Sequence, residues 1–198
     1  MDLDYQTIFR EFNKVGIDYL VVGGLAVNFH GVPRMTYDID LMILLQSENI
    51  LRLVSQLRRW GYKPKIPIDP RDLADEKKRN SWIRDKEMKA LAGKCPANTA
   101  LYAGSRGTTK NEISFPGSDN LWAGSFNLYS EKLPIGEIDL VFESPIPYDK
   151  LKERSVKVEL QEEKVPLISI HDLIELKIKA GRKQDLTDAE HLRRILEK

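Results

Sequence analysis

The run "YDIDLMILL", residues 37–45, sets two aspartates inside an otherwise apolar stretch that reads as a strand. Side chains alternate along a strand, so Asp38 and Asp40 leave the same face. At about 3.3 Å per residue they stand roughly 6.6 Å apart. At an effective dielectric of about 20 their repulsion is on the order of 2.5 kcal/mol. A fold can carry such a pair by protonating one acid, by exposing both to water on an edge strand, or by placing a cation between them.

The flanking residues favour the cation. "DYLVVGG" brings an apolar strand directly to Gly23 and Gly24. Residues 24–30 then suit a short helix ending at Gly31, where a left-handed cap needs no side chain. A strand–glycine–helix junction directs backbone N–H groups above the sheet, a setting suited to phosphate. Arg34 and Thr36 follow, and the planar fork of an arginine can donate two bonds to a phosphate at once. A third acid, Asp139, lies in "GEIDLVFE", where Glu137 shares its face and Ile138 and Leu140 take the other. Three carboxylates, a glycine turn and cations make joint sense around Mg2+ (or Mn2+) and a nucleoside triphosphate. Magnesium is held by a few carboxylates together with substrate phosphates.

The stretch "GGLAVNFHGVPRMTYDIDL" resembles the signature of the DNA polymerase beta-like nucleotidyltransferase superfamily. That signature is a glycine pair, a short helix, two acids one residue apart, and a third acid on a later strand. The "RxTxDID" spelling is most similar to the small bacterial and archaeal branch of minimal, aminoglycoside and abortive-infection nucleotidyltransferases. The ending "HDLIELKIKAGRKQDLTDAEHL" also resembles that branch's C-terminal helices. The resemblance implies an α+β fold, with a mixed β-sheet flanked by helices and C-terminal helices. It implies Asp38, Asp40 and Asp139 as catalytic metal ligands, and Gly23, Gly24, Arg34 and Thr36 around the nucleotide. It implies a lysine, Lys177 or Lys179, on the triphosphate. The two differ by about 200° around a helix. Lys177 borders the stripe of Leu173, Leu176 and Ala180 and can project its ammonium into a cleft. Lys179 is expected to face water.

Elsewhere, residues 3–15 set Ile8, Phe9, Phe12 and Val15 at helical spacing. "SENILRLVSQLRRWG" reads as a helix capped by Ser47 and stopped by Gly61. A polar helix is expected over 69–78, then a loop and strand in "SWIRDKEMKA". "VKVEL" is a further strand. Ser169 and Asp172 form a capping-box pattern, Gly181 breaks the helix they open, and a last helix follows. Asp185 and Asp188 near its start are expected to serve its dipole, His30 to pack or cap locally, and Arg182 and Lys183 stay open as phosphate contacts. Residues 91–125 are poor in charge and rich in Gly, Ser, Asn and Thr, longer than the roughly 12–15 residues usual for a plain connection. They read as an insertion in a nucleotidyltransferase core of 1–150, with 151–198 as a C-terminal strand and helices packed on it.

Charges nearly cancel, 31 Lys and Arg against 30 Asp and Glu, which argues against a globally basic nucleic-acid binder. A single cysteine rules out an internal disulfide, and the three histidines show no zinc spacing. No secretory leader or apolar run of roughly 20 residues is evident, so a cytoplasmic protein without a membrane span is expected. No GxxxxGK[ST] run supports a P-loop enzyme. The expected activity is transfer of a nucleoside monophosphate from an NTP to a hydroxyl on protein, RNA or a small molecule. A toxin–antitoxin setting with a small helical partner is compatible. The alternative is an antitoxin-like binding subunit with little or no catalysis.

Overall fold

The structure is a computed structural model and describes residues 4–84 and 124–197. Helix α1 (Tyr5–Lys14) starts where the Asp4 carboxylate accepts the Thr7 N–H at 2.8 Å, and it buries Ile8, Phe9 and Phe12. Strand β1 (Tyr19–Val21) leads into α2 (Gly23–Phe29), and β2 (Asp38–Ile43) follows. Helix α3 (Ser47–Arg59), the short β3 (Lys63–Pro64), a 3-10 turn (Pro70–Ala74) and α4 (Glu76–Arg84) complete the part before residue 85. After residue 123 come β4 (Ser125–Tyr129), β5 (Glu137–Val141), α5 (Tyr148–Glu153), β6 (Val156–Leu160), β7 (Glu163–Leu167), α6 (Ile170–Ala180) and α7 (Lys183–Leu196).

The seven strands form one mixed sheet in the order β3-β4-β5-β2-β1-β7-β6. The acid-bearing strand β2 is therefore central. It pairs antiparallel with β1 and parallel with β5, so a solvated edge strand is excluded. Its other face carries Ile39 and Leu41 into the core. Helix α2 packs on β2, α1 on β7, and α6 against both α2 and α7. Phe12 stacks on Trp60 and meets Tyr19 edge-on, and Trp82 packs against Phe126 and Phe142. The tryptophans described are thus core residues. Among the described residues no helix is long and apolar enough to cross a membrane.

The α+β architecture expected from the sequence is the one observed, with several local departures. Ser47 is the first helical residue of α3 rather than its cap; Gln46 holds the cap position and makes no side-chain cap bond. The polar helix expected over 69–78 is broken at Asp75, whose carboxylate accepts from the N–H groups of Lys77 and Lys78 and so starts α4. Residues 81–84 continue α4, where a loop and strand were expected. Two elements escaped the sequence reading: α5, and β7, which pairs antiparallel with β6 and parallel with β1. Strands after residue 150 therefore extend the same sheet. The expected insertion at 91–125 lies, apart from its last two residues, outside the described residues.

Gly31 and Gly181 behave as read. Both have positive φ, at 92° and 68°, just past α2 and α6. Ser169 caps α6 by accepting the Asp172 N–H at 3.1 Å. The Asp172 carboxylate accepts the Ser169 hydroxyl at 2.7 Å and is also paired with Arg154.

Candidate active site

Sheet register assembles the acids. Asp40 on β2 lies directly beside Asp139 on parallel β5, and Asp38 beside Glu137. Neighbouring strands lie about 4.8 Å apart, so the pair one residue apart in sequence gains a third member from across the ladder. Asp38, Asp40 and Asp139 each present a carboxylate oxygen within 4.8 Å of the others.

Each of the three is also held by one donor. Thr36 donates its hydroxyl to Asp38 Oδ1 at 2.6 Å. The Gly24 N–H donates to Asp40 Oδ2 at 3.2 Å. Asn127, opposite Asp139 on β4, donates from Nδ2 to Asp139 Oδ1 at 2.6 Å. Glu137 is committed elsewhere, paired with Lys65 at 2.6 Å, which removes it as a substitute for Asp139.

The glycine pair is explained by contact. A Cβ on Gly23 would lie 1.8 Å from Asp40 Oδ2, and Gly23 has φ +62°. A Cβ on Gly24 would lie 2.7 Å from Thr36 Oγ1 and 3.1 Å from Arg34 Cζ. The glycines thus let the acids, the threonine and the arginine close on the backbone, and the Gly24 N–H is already spent on Asp40. Gly23→Ala is expected to push Asp40 out of place and weaken divalent-cation binding on the order of tenfold or more. Gly31→Ala has comparable backbone strain with no atom within 4 Å of its Cβ, and is expected to leave that binding unchanged. Manganese titration of both variants separates lost space from backbone strain.

Burial, together with repulsion from Asp38 and Asp139, pushes the Asp40 carboxyl up to about 7, against the opposing Gly24 N–H and the Lys177 charge. Burial also pushes Asp139 up to about 6, opposed by the Asn127 hydrogen bond. At neutral pH the triad is therefore short of its full charge until a cation enters.

On the flank towards the C-terminal helices, Arg34 donates to Asp188 Oδ2 at 2.6 Å. Lys177 is buried, with its ammonium 2.6 Å from Asp185 and 2.9 Å from Asp188. Lys179 is exposed and pairs with Glu175 at 2.6 Å. The face chosen for the two lysines is the observed one, but Lys177 is engaged by two carboxylates. Asp185 lies in the first turn of α7, as expected, but it and Asp188 are 1% and 2% exposed and belong to an ion cluster. His30 packs locally, its Nε2 2.8 Å from the Ile168 carbonyl oxygen. Sequence reasoning missed Asn127, whose only signal was a polar residue on the same face of a strand as the acids next to it. It missed the buried acids because DxxD at a helix start has a commoner explanation.

A glycine-shaped junction, an acid pair on a central strand and a third acid across the ladder form a nucleotidyltransferase-type site whose three carboxylates could hold a metal ion. The chain belongs to the AbiEii nucleotidyltransferase toxin family of type IV toxin–antitoxin systems, whose family model matches residues 8–194. It is a nucleotidyltransferase. The lincomycin-bound lincosamide antibiotic adenylyltransferase LnuA shares the fold: TM-score 0.52 at 13% identity, covering 98% of this chain and 99% of that one. TM1012 from Thermotoga maritima aligns at TM-score 0.46 and 14% identity, covering 99% and 96%. No curated protein matches the chain.

Proposed function

We propose that this chain transfers a nucleoside monophosphate from an NTP to an acceptor hydroxyl on protein, RNA or a small molecule, releasing pyrophosphate. We place it in the cytoplasm as the toxin of a pair whose other member is a small helical protein. The observation that carries the reading is the triad: three carboxylates in reach of one another, each held by a hydrogen-bond donor. An all-oxygen, mostly carboxylate donor set suits a hard divalent cation, Mg2+ or Mn2+. Bound there, such a cation supplies charge neutralisation for the phosphates and lowers the pKa of an attacking hydroxyl.

The chain's own residues then divide the work. Asp38, Asp40 and Asp139 hold the cation, with Thr36 and Asn127 fixing the outer two acids. Gly23 keeps the space over Asp40 open, Gly24 lets Thr36 and Arg34 close on the backbone, and Arg34 and Lys177 set positive charge on the nucleotide side. The acceptor oxygen bonds to the α-phosphorus as the bond to pyrophosphate breaks. Asp139 would take the hydroxyl proton as the new bond forms. Residues 1–150 would form the catalytic core, with 91–125 inserted in it and 151–198 packed against it.

Incubation with each labelled triphosphate and Mg2+, alone and with lysate or RNA, tests the reading. Label is expected on one acceptor class and absent with chelator. Label transfer that persists unchanged in chelator would defeat it.

Proton release provides a second check. Between about pH 4 and 7 the cation-free triad holds protons that a bound cation must displace. Calorimetric Mn2+ titration in buffers of different ionisation enthalpy is expected to show more than about one proton released at pH 6 and little at pH 8. Apparent affinity should rise with pH across that interval. Equal release at both pH values would contradict the assignment.

A further inference from the structure

Strand β6 ends the sheet on one side and, among the described residues, pairs with β7 alone. The hydrogen bonds of β7 show which groups of β6 are left over. The Lys164 carbonyl accepts from the Asn13 side chain, and the Ile168 N–H, just past β7, bonds the Val21 carbonyl of β1. Main-chain groups alternate in direction along a strand, so Lys164, Pro166 and Ile168 turn theirs away from β6. Glu163, Val165 and Leu167 turn theirs towards it, and the residues opposite these are Leu160, Val158 and Val156. Those three are therefore bonded to β7. Lys157 and Glu159 direct their N–H and C=O groups to the open edge.

The side chains of β6 divide the same way. Val156, Val158 and Leu160 share the face of Val165 and Leu167, which are buried in the core. Val158 and Leu160 are half-buried against that core, and Val156 is 45% exposed. An apolar stripe thus runs from the core out to the edge of the sheet. Lys157 and Glu159 are exposed on the other face. An open edge is a template for a further strand, and a lysine on it is a common guard against one. Here the strand supplies its own answer to the lysine. Laid antiparallel to itself about Val158, it sets Lys157 opposite Glu159 twice, Val156 opposite Leu160 twice, and Val158 opposite Val158. The same register brings the open-edge groups of Lys157 and Glu159 face to face, where each pair exchanges two main-chain hydrogen bonds. Centring on Lys157 or on Glu159 instead would set like charges opposite each other. Centring between two residues would set open-edge groups against groups already bonded to β7.

We infer that β6 is the contact between two copies of this chain, paired antiparallel about Val158 so that their sheets join into one. Charge selects the register, main-chain bonds hold it, and each copy covers the apolar stripe of the other. The contact is isologous, as a two-fold pair requires. It is independent of the reading of the triad: β6 stands three strands from β2, so the pairing does not touch the acids. A contact one strand wide is small, and association is expected to be weak, half-complete on the order of tens of micromolar.

The test is sedimentation equilibrium of the full chain from about 1 to 300 µM, where a reversible monomer–dimer equilibrium is expected. Lys157→Glu and Glu159→Lys should each weaken the dimer on the order of tenfold or more, because two opposite-charge pairs become like-charge pairs. Mixing these two variants should give a heterodimer as strong as the wild-type dimer, and a chain carrying both changes should dimerise again. Glu159→Pro removes an open-edge N–H and no bond to β7, and should also be monomeric. Thermal melts check that each variant is folded. Hydrogen exchange at the Lys157 and Glu159 amides should be slow in concentrated wild-type protein and fast on dilution. A wild-type chain that stays monomeric, or a dimer that both charge changes leave intact, overturns the inference. Slow exchange of those amides in the monomer would show the edge covered from within the chain, and overturns it as well.

Discussion

Asp38→Asn with Asp40→Asn is expected to abolish Mg2+-dependent transfer, by at least about a thousandfold, in a protein that stays folded. Removing a single preorganised charge-stabilising group from an active site typically costs about 10²–10³ in rate, and here two of three cation ligands lose their charge. Folding should not suffer, because the charges oppose it. Asp40 is pushed up to about 7, so between about pH 4 and 7 the folded state binds a proton that the unfolded chain has released. Stability of the cation-free wild type must then fall as pH rises through that interval. Asparagine does not titrate, so the double variant should lose the Asp40 part of this slope and keep a smaller part from Asp139, which burial pushes up to about 6. In chelator at pH 8 it should melt at or above the wild-type temperature. Added Mn2+ should stabilise the wild type and leave the variant unchanged, since a ligand that binds only the folded state raises its melting point. Equal cation-dependent transfer by the variant would end the assignment. A variant that is unfolded in chelator would show that the acids support the sheet.

Lys177→Ala is expected to destabilise the fold by about 3–5 kcal/mol, the usual cost of removing one partner from a buried ion pair. The ammonium lies between Asp185 and Asp188, both almost fully buried, and joins α6 to α7. Without it, Asp188 keeps Arg34 and Asp185 keeps Arg182, but two carboxylates face each other across an emptied site. Burial pushes the Asp185 carboxyl up; its hydrogen bonds from Arg182 and Lys177 outweigh this and hold it below its ordinary range. Its contribution is therefore complete above pH 4 and is lost as pH falls through the depressed value. Lys177→Ala should shrink this acid-side loss. Lys179→Ala, by contrast, removes an exposed i,i+4 pair and should change stability by no more than about 0.5 kcal/mol. Urea melts at pH 7 and at a series of pH values below 4 measure both. Lys177→Met combined with Asp185→Asn and Asp188→Asn should regain part of the loss, because no two buried carboxylates then face each other.

Two lysines two positions apart could be separated from sequence alone, because helical geometry sends them to different sides and the apolar stripe says which side is inside. The sequence could not say what Lys177 would meet there. Its partners lie eight and eleven positions along, on another helix, and the helix-helix crossing that joins them is a tertiary fact. The same limit explains Asn127. Its role comes from standing opposite Asp139 in the ladder, and register is not encoded in the local pattern of either strand.

Local rules were enough for the acid pair on one strand face, the glycine junction before it, the third acid, the Ser169 cap and the Gly181 stop. Alternation, backbone freedom and capping act over a few residues. They failed at residues 81–84, whose pattern did not distinguish helix from strand, and at β7, where a proline and two charges hide a strand that lies between two others. Only the tertiary structure put β2 at the centre of the sheet, brought Asp139 beside Asp40, and buried Asp185 and Asp188 against Lys177. The physical reason is common to all three. A residue's type constrains its own backbone and near neighbours, whereas the charge it must balance is chosen by strand order and helix packing, which bring together positions up to 154 residues apart.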